Sequence, residues 1–324
     1  MACLLEVNGL STAAERNGKY YKILDNISFN IEEGEALGLA GESGCGKSMT
    51  ALSIVNLLPA AVKSQSGEII YRGRNLIPLT EKEMRPVRRK EISVVFQEAR
   101  QSLNPLMRIG KQITETLILC GQKKSRQEMK SRVLNALELF GFDNPQKTYD
   151  SYPHQLSGGM CQRVMTIIAA IGNPRLLLAD EPSSSLDEES QNRILCELAG
   201  MNRNQKTSML IISHDLSIIR KFCTRFLVMY AGKIVEQGPA QSLFNPLHPY
   251  TKALTDAIPG RNKRGKNLEN IPGKVPSIED NLSGCPFAPR CPKAKNICFV
   301  NFPPRTGTVH TVHCFLHERE VNNE

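Results

Sequence analysis

No apolar run in these 324 residues approaches the roughly 20 needed to cross a bilayer as a helix. Residues 164–171 and 209–212 are the most apolar stretches, and both are far too short. The opening residues, Met1-Ala2-Cys3-Leu4-Leu5-Glu6-Val7, lack a basic stretch followed by an apolar segment and a cleavage site. No signal peptide is therefore expected, and the chain is expected to stay in the cytosol. Internal repeats are absent as well, so any motif set present once serves the whole chain. The composition carries no mark of disorder: 40% of the residues are hydrophobic, enough for a substantial core, and the length allows two or three domains.

What the chain has in excess is positive charge, a net +9, concentrated at residues 85–90, 123–132 and 261–266. Such a balance can favour nucleic acid or an anionic membrane surface. No aromatic residues interleave with these charges as a nucleic-acid platform requires, so solvated helix faces and a basic linker are the preferred reading, with no nucleic-acid partner. Ten cysteines without an export signal argue against a disulfide framework. Cys3, Cys45, Cys120, Cys161, Cys196 and Cys223 are scattered and read mostly as small buried apolar groups. The other four crowd the last 40 residues.

Periodicity organises the rest. Ile27, Phe29 and Ile31 alternate with polar residues as a half-buried strand, and Glu32-Glu33-Gly34 turns into a second strand at 36–40. Helical spacing at 49–58 stops at Pro59. Residues 67–71 and 92–96 read as strands, and 111–140 as a helical insertion with Met129, Val133, Leu134 and Leu137 as its core stripe. Met160, Val164, Ile167, Ile168 and Ile171 share a helical face, with Pro174 following shortly after its end. A strand at 176–179, a helix near 190–200 and a strand at 209–212 complete an alternation that implies a mostly parallel sheet. Residues 226–236 read as a hairpin, and the composition shifts near Pro259.

Gly41-Glu42-Ser43-Gly44-Cys45-Gly46-Lys47-Ser48 joins strand to helix with the spacing G-x-x-x-x-G-K-[ST]. Its glycines let backbone N–H groups wrap phosphates, while Lys47 reaches the β- and γ-phosphates and Ser48 is placed to ligate Mg²⁺. Asp180, at the end of an apolar strand, is placed to hold Mg²⁺, and Glu181 to polarise an attacking water. His214 follows another buried strand and is a candidate for the γ-phosphate, although a lone His is more often structural. Between these elements lies Leu156-Ser157-Gly158-Gly159-Met160-Cys161-Gln162. Ser157 can cap the helix that begins near Gly158, and the two glycines let N–H groups approach a phosphate at the helix's positive end.

In this order the motifs resemble the ATP-binding cassette (ABC) family over residues 4–249. The resemblance implies an α/β P-loop NTPase (RecA-like) core with an antiparallel β subdomain. It further implies a cassette at 1–258, a helical subdomain inserted at about 98–172, and a small cysteine-containing extension at 259–324. Gln97 matches the family's Q-loop glutamine, which senses Mg²⁺ and the attacking water. Ser184-Ser185-Leu186-Asp187 matches the D-loop, with Ser where the family usually has Ala at 185. Tyr20 or Tyr21 is the aromatic expected to stack on adenine. In the family two cassettes sandwich two ATP molecules, so Ser157, Gly158 and Gly159 would serve a partner's nucleotide.

Cys285, Cys291, Cys298 and Cys314 have the spacing C-x₅-C-x₆-C-x₁₅-C, with His310 and His313 near the last. Spacing alone leaves free buried thiols and a metal site open, because the paired C-x₂-C knuckles of a zinc site are missing. Gly284-Cys285-Pro286-Phe287-Ala288-Pro289-Arg290-Cys291-Pro292, preceded by His248-Pro249-Tyr250-Thr251, resembles the C-terminal region of oligopeptide/dipeptide ABC importer ATPases. Phe96-Gln97 through Ser102-Leu103-Asn104-Pro105 resembles the same group, as does Gly158-Gly159-Met160 through Gln162-Arg163, with Cys161 where Arg is common. That group includes nickel-chelate importers, and some members with this tail carry a [4Fe-4S] cluster, which makes the four tail cysteines candidate ligands. The resemblance implies ATP and Mg²⁺ as ligands, two membrane permease subunits, a related second ATPase chain and an extracytoplasmic substrate-binding protein. It places the chain peripherally, on the cytoplasmic face of the inner membrane. A soluble ABC ATPase of ribosomes or DNA is the rival, but the inserted modules or tandem cassettes typical of those proteins are missing.

Overall fold

A computed structural model describes residues 2–122, 125–183, 186–257, 271–280 and 282–318. The chain divides into two compact units, one of Met1–Cys3, Ile31–Ala36 and Pro78–Ile212, the other of Leu4–Asn30, Leu37–Ile77 and Ser213–Glu324.

The first unit is built on parallel strands. Ile92–Val95 pairs with Leu176–Asp180, and that strand pairs with Ser208–Ser213. Leu176, Leu177, Leu178 and Ala179 are all fully buried, as strands covered on both faces must be. The helical insertion holds separate helices, Ile109–Leu119, Arg126–Leu139 and Pro145–Asp150, where the sequence read one stretch at 111–140. The break follows from Gly121 at φ 81 and from Ser125, whose hydroxyl accepts from the Glu128 N–H at 3.2 Å and starts the next helix with a capping box. Of the expected stripe, Val133 and Leu137 are fully buried while Met129 and Leu134 are only half-buried. Ile113 and Leu117 of the neighbouring helix are buried with them.

The helix Gly158–Ala170 is buried on more than one face: Cys161, Met165, Thr166 and Ala169 join Val164 and Ile167 inside. Met160 and Ile168, expected in the core stripe, are half-buried. A helix apolar nearly all round belongs in an interior rather than on a surface. The next helix, Glu188–Gln205, is longer than its periodicity suggests and is capped by Asp187.

The second unit carries two sheets. In the four-stranded sheet, Cys3–Arg16 lies between Lys19–Glu32 and Val62–Tyr71, and the last pairs with Arg74–Asn75. Ile27, Phe29 and Ile31 point inward as their alternation predicts. In the other, Ala36–Ala40 runs parallel to Arg225–Tyr230, which forms an antiparallel hairpin with Lys233–Pro239. The tail then adds to the sheet through Thr311–His313 and Arg305–Thr306.

One buried carboxylate ties that tail down. Glu236, 0% exposed, accepts the N–H groups of Leu247 at 2.9 Å and His248 at 2.8 Å, and its Oε1 lies 2.7 Å from His310 Nε2. Such full satisfaction is what makes a buried carboxylate tolerable. Burial drives the pKa of His248 down to about 3, so its ring is neutral and Nδ1 accepts the Tyr250 N–H at 3.1 Å.

Gly38 is set by packing rather than by φ. A Cβ there would lie 2.4 Å from Cγ2 of Ile219, a fully buried and stiff β-branched side chain on the helix Leu216–Phe222. We expect Gly38→Ala to cost about 1–3 kcal/mol in denaturant unfolding through overpacking. Ile219→Ala should recover part of that loss in the double variant; equal stability of Gly38→Ala and wild type would contradict the packing account.

Candidate nucleotide site

The strand Ala36–Ala40 is entirely buried and feeds the phosphate loop, which opens into the helix Lys47–Ile54. The glycine at each end of the loop has a steric reason. Gly41 sits at φ 153, where a Cβ would lie 2.3 Å from the Met229 carbonyl, and Gly46 sits at φ 111, 2.8 Å from Leu24 Cδ2. Between them Cys45 is buried, and burial pushes its thiol pKa up, so it is a neutral packing group there. Its carbonyl accepts the Gly232 N–H at 2.8 Å, which fastens the loop to the hairpin. Ser43 and Gly44 are exposed and Ser48 is half-buried at the second helical position.

Lys47 is 6% exposed, and its Nζ donates to the carbonyls of Gly41 at 2.8 Å and Glu42 at 2.9 Å. The ammonium thus braces the loop from inside. Glu42 is held in turn: its N–H donates to Tyr250 Oη at 2.8 Å, and its carboxylate pairs with Arg290. The Lys47 ammonium and a helix N-terminus together make an anion site.

Beside the loop, Tyr20 and Tyr21 line a cavity of about 940 Å³ together with Gly44, Gly232, Ile278 and Pro286. Tyr20 is 58% exposed, so a broad aromatic face is open to a flat ligand. That tail residues wall this cavity was not readable from the sequence.

The carboxylates lie in the first unit. Register places Val95 beside Ala179 and Asp180 beside Ile212, so Gln97, Asp180 and Glu181 gather at the carboxyl edge of parallel strands, where α/β sheets bind ligands. Asp180 is buried and ends its strand. Glu181 follows at φ 49, a left-handed conformation unusual for a side chain of its size, and its N–H donates to the Ile212 carbonyl at 3.1 Å. His214, exposed, directly follows the strand Ser208–Ser213, and Gln97 is exposed two residues after Val95.

Ser157 caps its helix as expected, its Oγ accepting from the Met160 N–H at 3.2 Å. Ser157 and Gly158 are exposed, and a Cβ on Gly158 would meet nothing within 4 Å, so the helix end is open. Asp187 accepts the Ser190 N–H at 2.9 Å, which gives it a capping duty in its own helix. Ser184 and Ser185, read as part of the D-loop, lie outside the described residues.

In the tail, Cys285, Cys291, Cys298 and Cys314 line one small cavity together with His248 and Phe287. All four are free thiols, and the Cys285 N–H donates to the Cys298 carbonyl at 2.7 Å. Burial pushes Cys285 up to about 11 and raises Cys291 and Cys314 as well. The described residues contain no group of three or more His, Cys, Asp or Glu side chains arranged to hold a metal ion. The two histidines flagged by sequence are engaged elsewhere, His310 with Glu236 and His313 with the Pro303 carbonyl at 3.0 Å. Of the scattered cysteines, Cys45, Cys161 and Cys223 are buried, Cys120 is half-buried, and Cys3 and Cys196 are exposed.

Among the described residues no helix is long and apolar enough to cross a membrane. Residues 24–184 match the family model described as ABC transporter, and residues 235–298 match that of the oligopeptide/dipeptide transporter C-terminal region. The oligopeptide transport ATP-binding protein AppD of Bacillus subtilis is 41% identical, covering 99% of this chain and 98% of its own length. The dipeptide transport ATP-binding protein DppD of the same organism is 37% identical, covering 100% of this chain and 97% of its own. Among solved structures, a dimeric post-hydrolysis state of the ATP-binding cassette MJ0796 bound to ADP and Pi is 26% identical. It superposes with a TM-score of 0.68, covering 73% of this chain and 99% of that one. The chain therefore belongs to the ABC transporter family, as an ATP-hydrolysing, ATP-binding protein.

Proposed function

We propose that this chain is the ATPase subunit that powers import of peptides through a membrane ABC transporter complex. The observation that carries the reading is the joining, in one chain, of a complete cassette motif set with the tail of peptide importers, matched at 235–298. Relatives named for oligopeptide and dipeptide transport, similar over nearly their whole length, support a peptide over a metal-chelate cargo. We take residues 1–258 as the cassette, with the insertion at 98–172 facing the permeases, and 259–324 as the extension.

In this reading backbone N–H groups of the glycine-rich loop wrap the phosphates, Lys47 moves from its loop carbonyls to the β- and γ-phosphates, and Tyr20 or Tyr21 stacks on adenine. Ser48, Asp180 and Gln97 would hold Mg²⁺, which would neutralise phosphate charge. Glu181 accepts the proton of the attacking water and His214 contacts the γ-phosphate. The strained backbone at Glu181 supports its role, since such conformations cluster at functional sites. Ser157 and Gly158, open to solvent, and half-buried Gly159 serve the nucleotide of a second, related cassette, with Asp187 at the shared face. The dimeric state of the MJ0796 cassette supports that pairing. Two permease subunits and an extracytoplasmic substrate-binding protein complete the complex, with this chain at the cytoplasmic face of the membrane.

We infer from the likeness to peptide-importer tails that Cys285, Cys291, Cys298 and Cys314 would ligate an iron–sulfur cluster. Four thiols line one small cavity, although no group of them is arranged for a metal among the described residues, and a bound cluster would draw them together and cross-link the tail.

Glu181→Gln should bind ATP with wild-type affinity yet release phosphate roughly 10²-fold more slowly or worse in the assembled complex. Near-normal turnover would contradict the assigned base. Anaerobically purified chain should contain iron and absorb in the visible region, and Cys291→Ser should lose both signals. Colourless, iron-free wild-type protein rules the cluster out.

A further inference from the structure

Glu42 is an odd residue for its place. It sets a carboxylate at the second position of a loop shaped to hold a polyanion, where like charges repel. Arg290, from the cysteine-bearing tail 248 residues away in sequence, meets it. Its Nη1 donates to Glu42 Oε2 at 2.7 Å and its Nη2 to Oε1 at 3.1 Å, a two-pronged pair with the Arg290 side chain only 5% exposed.

The remaining donors are also used. Nη1 reaches Tyr230 Oη at 3.1 Å, Nε the Pro272 carbonyl at 2.8 Å, and Nη2 the Ile271 carbonyl at 3.3 Å. Every N–H of the guanidinium fork therefore has an acceptor, which fixes its position as a more mobile Lys would not. The fork's own anchorage is the cysteine module: Arg290 ends a short turn of helix, Ala288–Arg290, between Cys285 and Cys291. On the loop side Glu42 is held by its carboxylate, by its N–H on Tyr250 and by its carbonyl on Lys47.

We propose that Arg290 is a positioning residue for ATP, withdrawing and neutralising the Glu42 carboxylate so that nucleotide affinity depends on the folded C-terminal module. The proposal rests on the ATP site described above and adds a second cation, outside the motif set, to the electrostatics of the loop.

The test is titration of purified full-length chain with Mg²⁺ and a fluorescent ATP analogue. Arg290→Met, which unmasks Glu42, should weaken binding about tenfold or more, the scale of one charge-assisted hydrogen-bonded pair. Glu42→Gln removes the carboxylate that needs neutralising, so the double variant Glu42→Gln/Arg290→Met should return to within about threefold of wild type. A brace that is merely structural gives no such rescue. Arg290→Lys keeps charge without the fork, and should fall between wild type and Arg290→Met. Should Arg290→Met fail to fold, Arg290→Lys with and without Glu42→Gln carries the same cycle. Wild-type affinity in a folded Arg290 variant, or a double variant as weak as the single, overturns the proposal. A wild-type chain that binds no ATP overturns the site reading instead.

Discussion

A loop that binds phosphate through its backbone must hold its N–H groups outward before any ligand arrives, and much of the second unit follows from that constraint. The loop is held from behind, partly by its own buried Cys45 and Lys47. Lys47 ties the Gly41 and Glu42 carbonyls together, and the Gly232 N–H holds the Cys45 carbonyl. Leu24 and Met229 press so closely that only glycine fits at positions 46 and 41. The strands Lys19–Glu32 and Arg225–Tyr230 are thus as much a part of the nucleotide site as the motif itself. Preorganisation of this kind lowers the ordering cost that binding would otherwise incur.

In the first unit the corresponding constraint is strand direction. Parallel strands deliver their carboxyl ends to one edge, so residues far apart in the chain, Gln97 and the pair Asp180-Glu181, come to the same edge without any loop having to be long. The left-handed backbone at Glu181 is the local cost, of order 1–3 kcal/mol, and the bond from its N–H to the Ile212 carbonyl helps to hold it. The helix behind Ser157 is buried nearly all round, which leaves its N-terminus as the part free to meet a ligand.

How much of this could be read from the sequence depended on range. The phosphate loop, the buried strands and the Ser157 cap are local arrangements, and residue type with spacing specifies them. The core stripe at Met129, Val133, Leu134 and Leu137 was half legible: periodicity picks a face, but the turn at Gly121 and the neighbouring helix decide that Val133 and Leu137 lie deepest. The signature helix misled in the other direction, because a one-sided stripe was sought in a helix whose surroundings bury several faces. The strand Cys3–Arg16 was missed because its Gly9 and its register shifts break the alternation that marks a strand. Nothing local announces the Arg290–Glu42 pair, since neither residue has a pattern that names the other. The only available signal was an acidic residue placed where a phosphate must come.

The tail shows how a segment without periodicity is ordered over residues 271–280 and 282–318. Its sequence is poor in periodicity because its order comes from addition to the edge of an existing sheet and from polar anchors rather than from a core of its own. Thr311–His313 pairs with the hairpin strand Lys233–Pro239, and Glu236 on that strand gathers Leu247, His248 and His310 around one buried carboxylate. Phe287 then completes an aromatic cluster with Tyr230 and Tyr250 at ring-centroid distances of 5.3 Å. Tyr250 bonds to the Glu42 N–H and Tyr230 to Arg290, so the cluster that holds the cysteine module also contacts the phosphate loop. A continuous chain of contacts therefore links the cysteine module to the phosphate loop. It runs through three rings and one ion pair, all within the same compact unit.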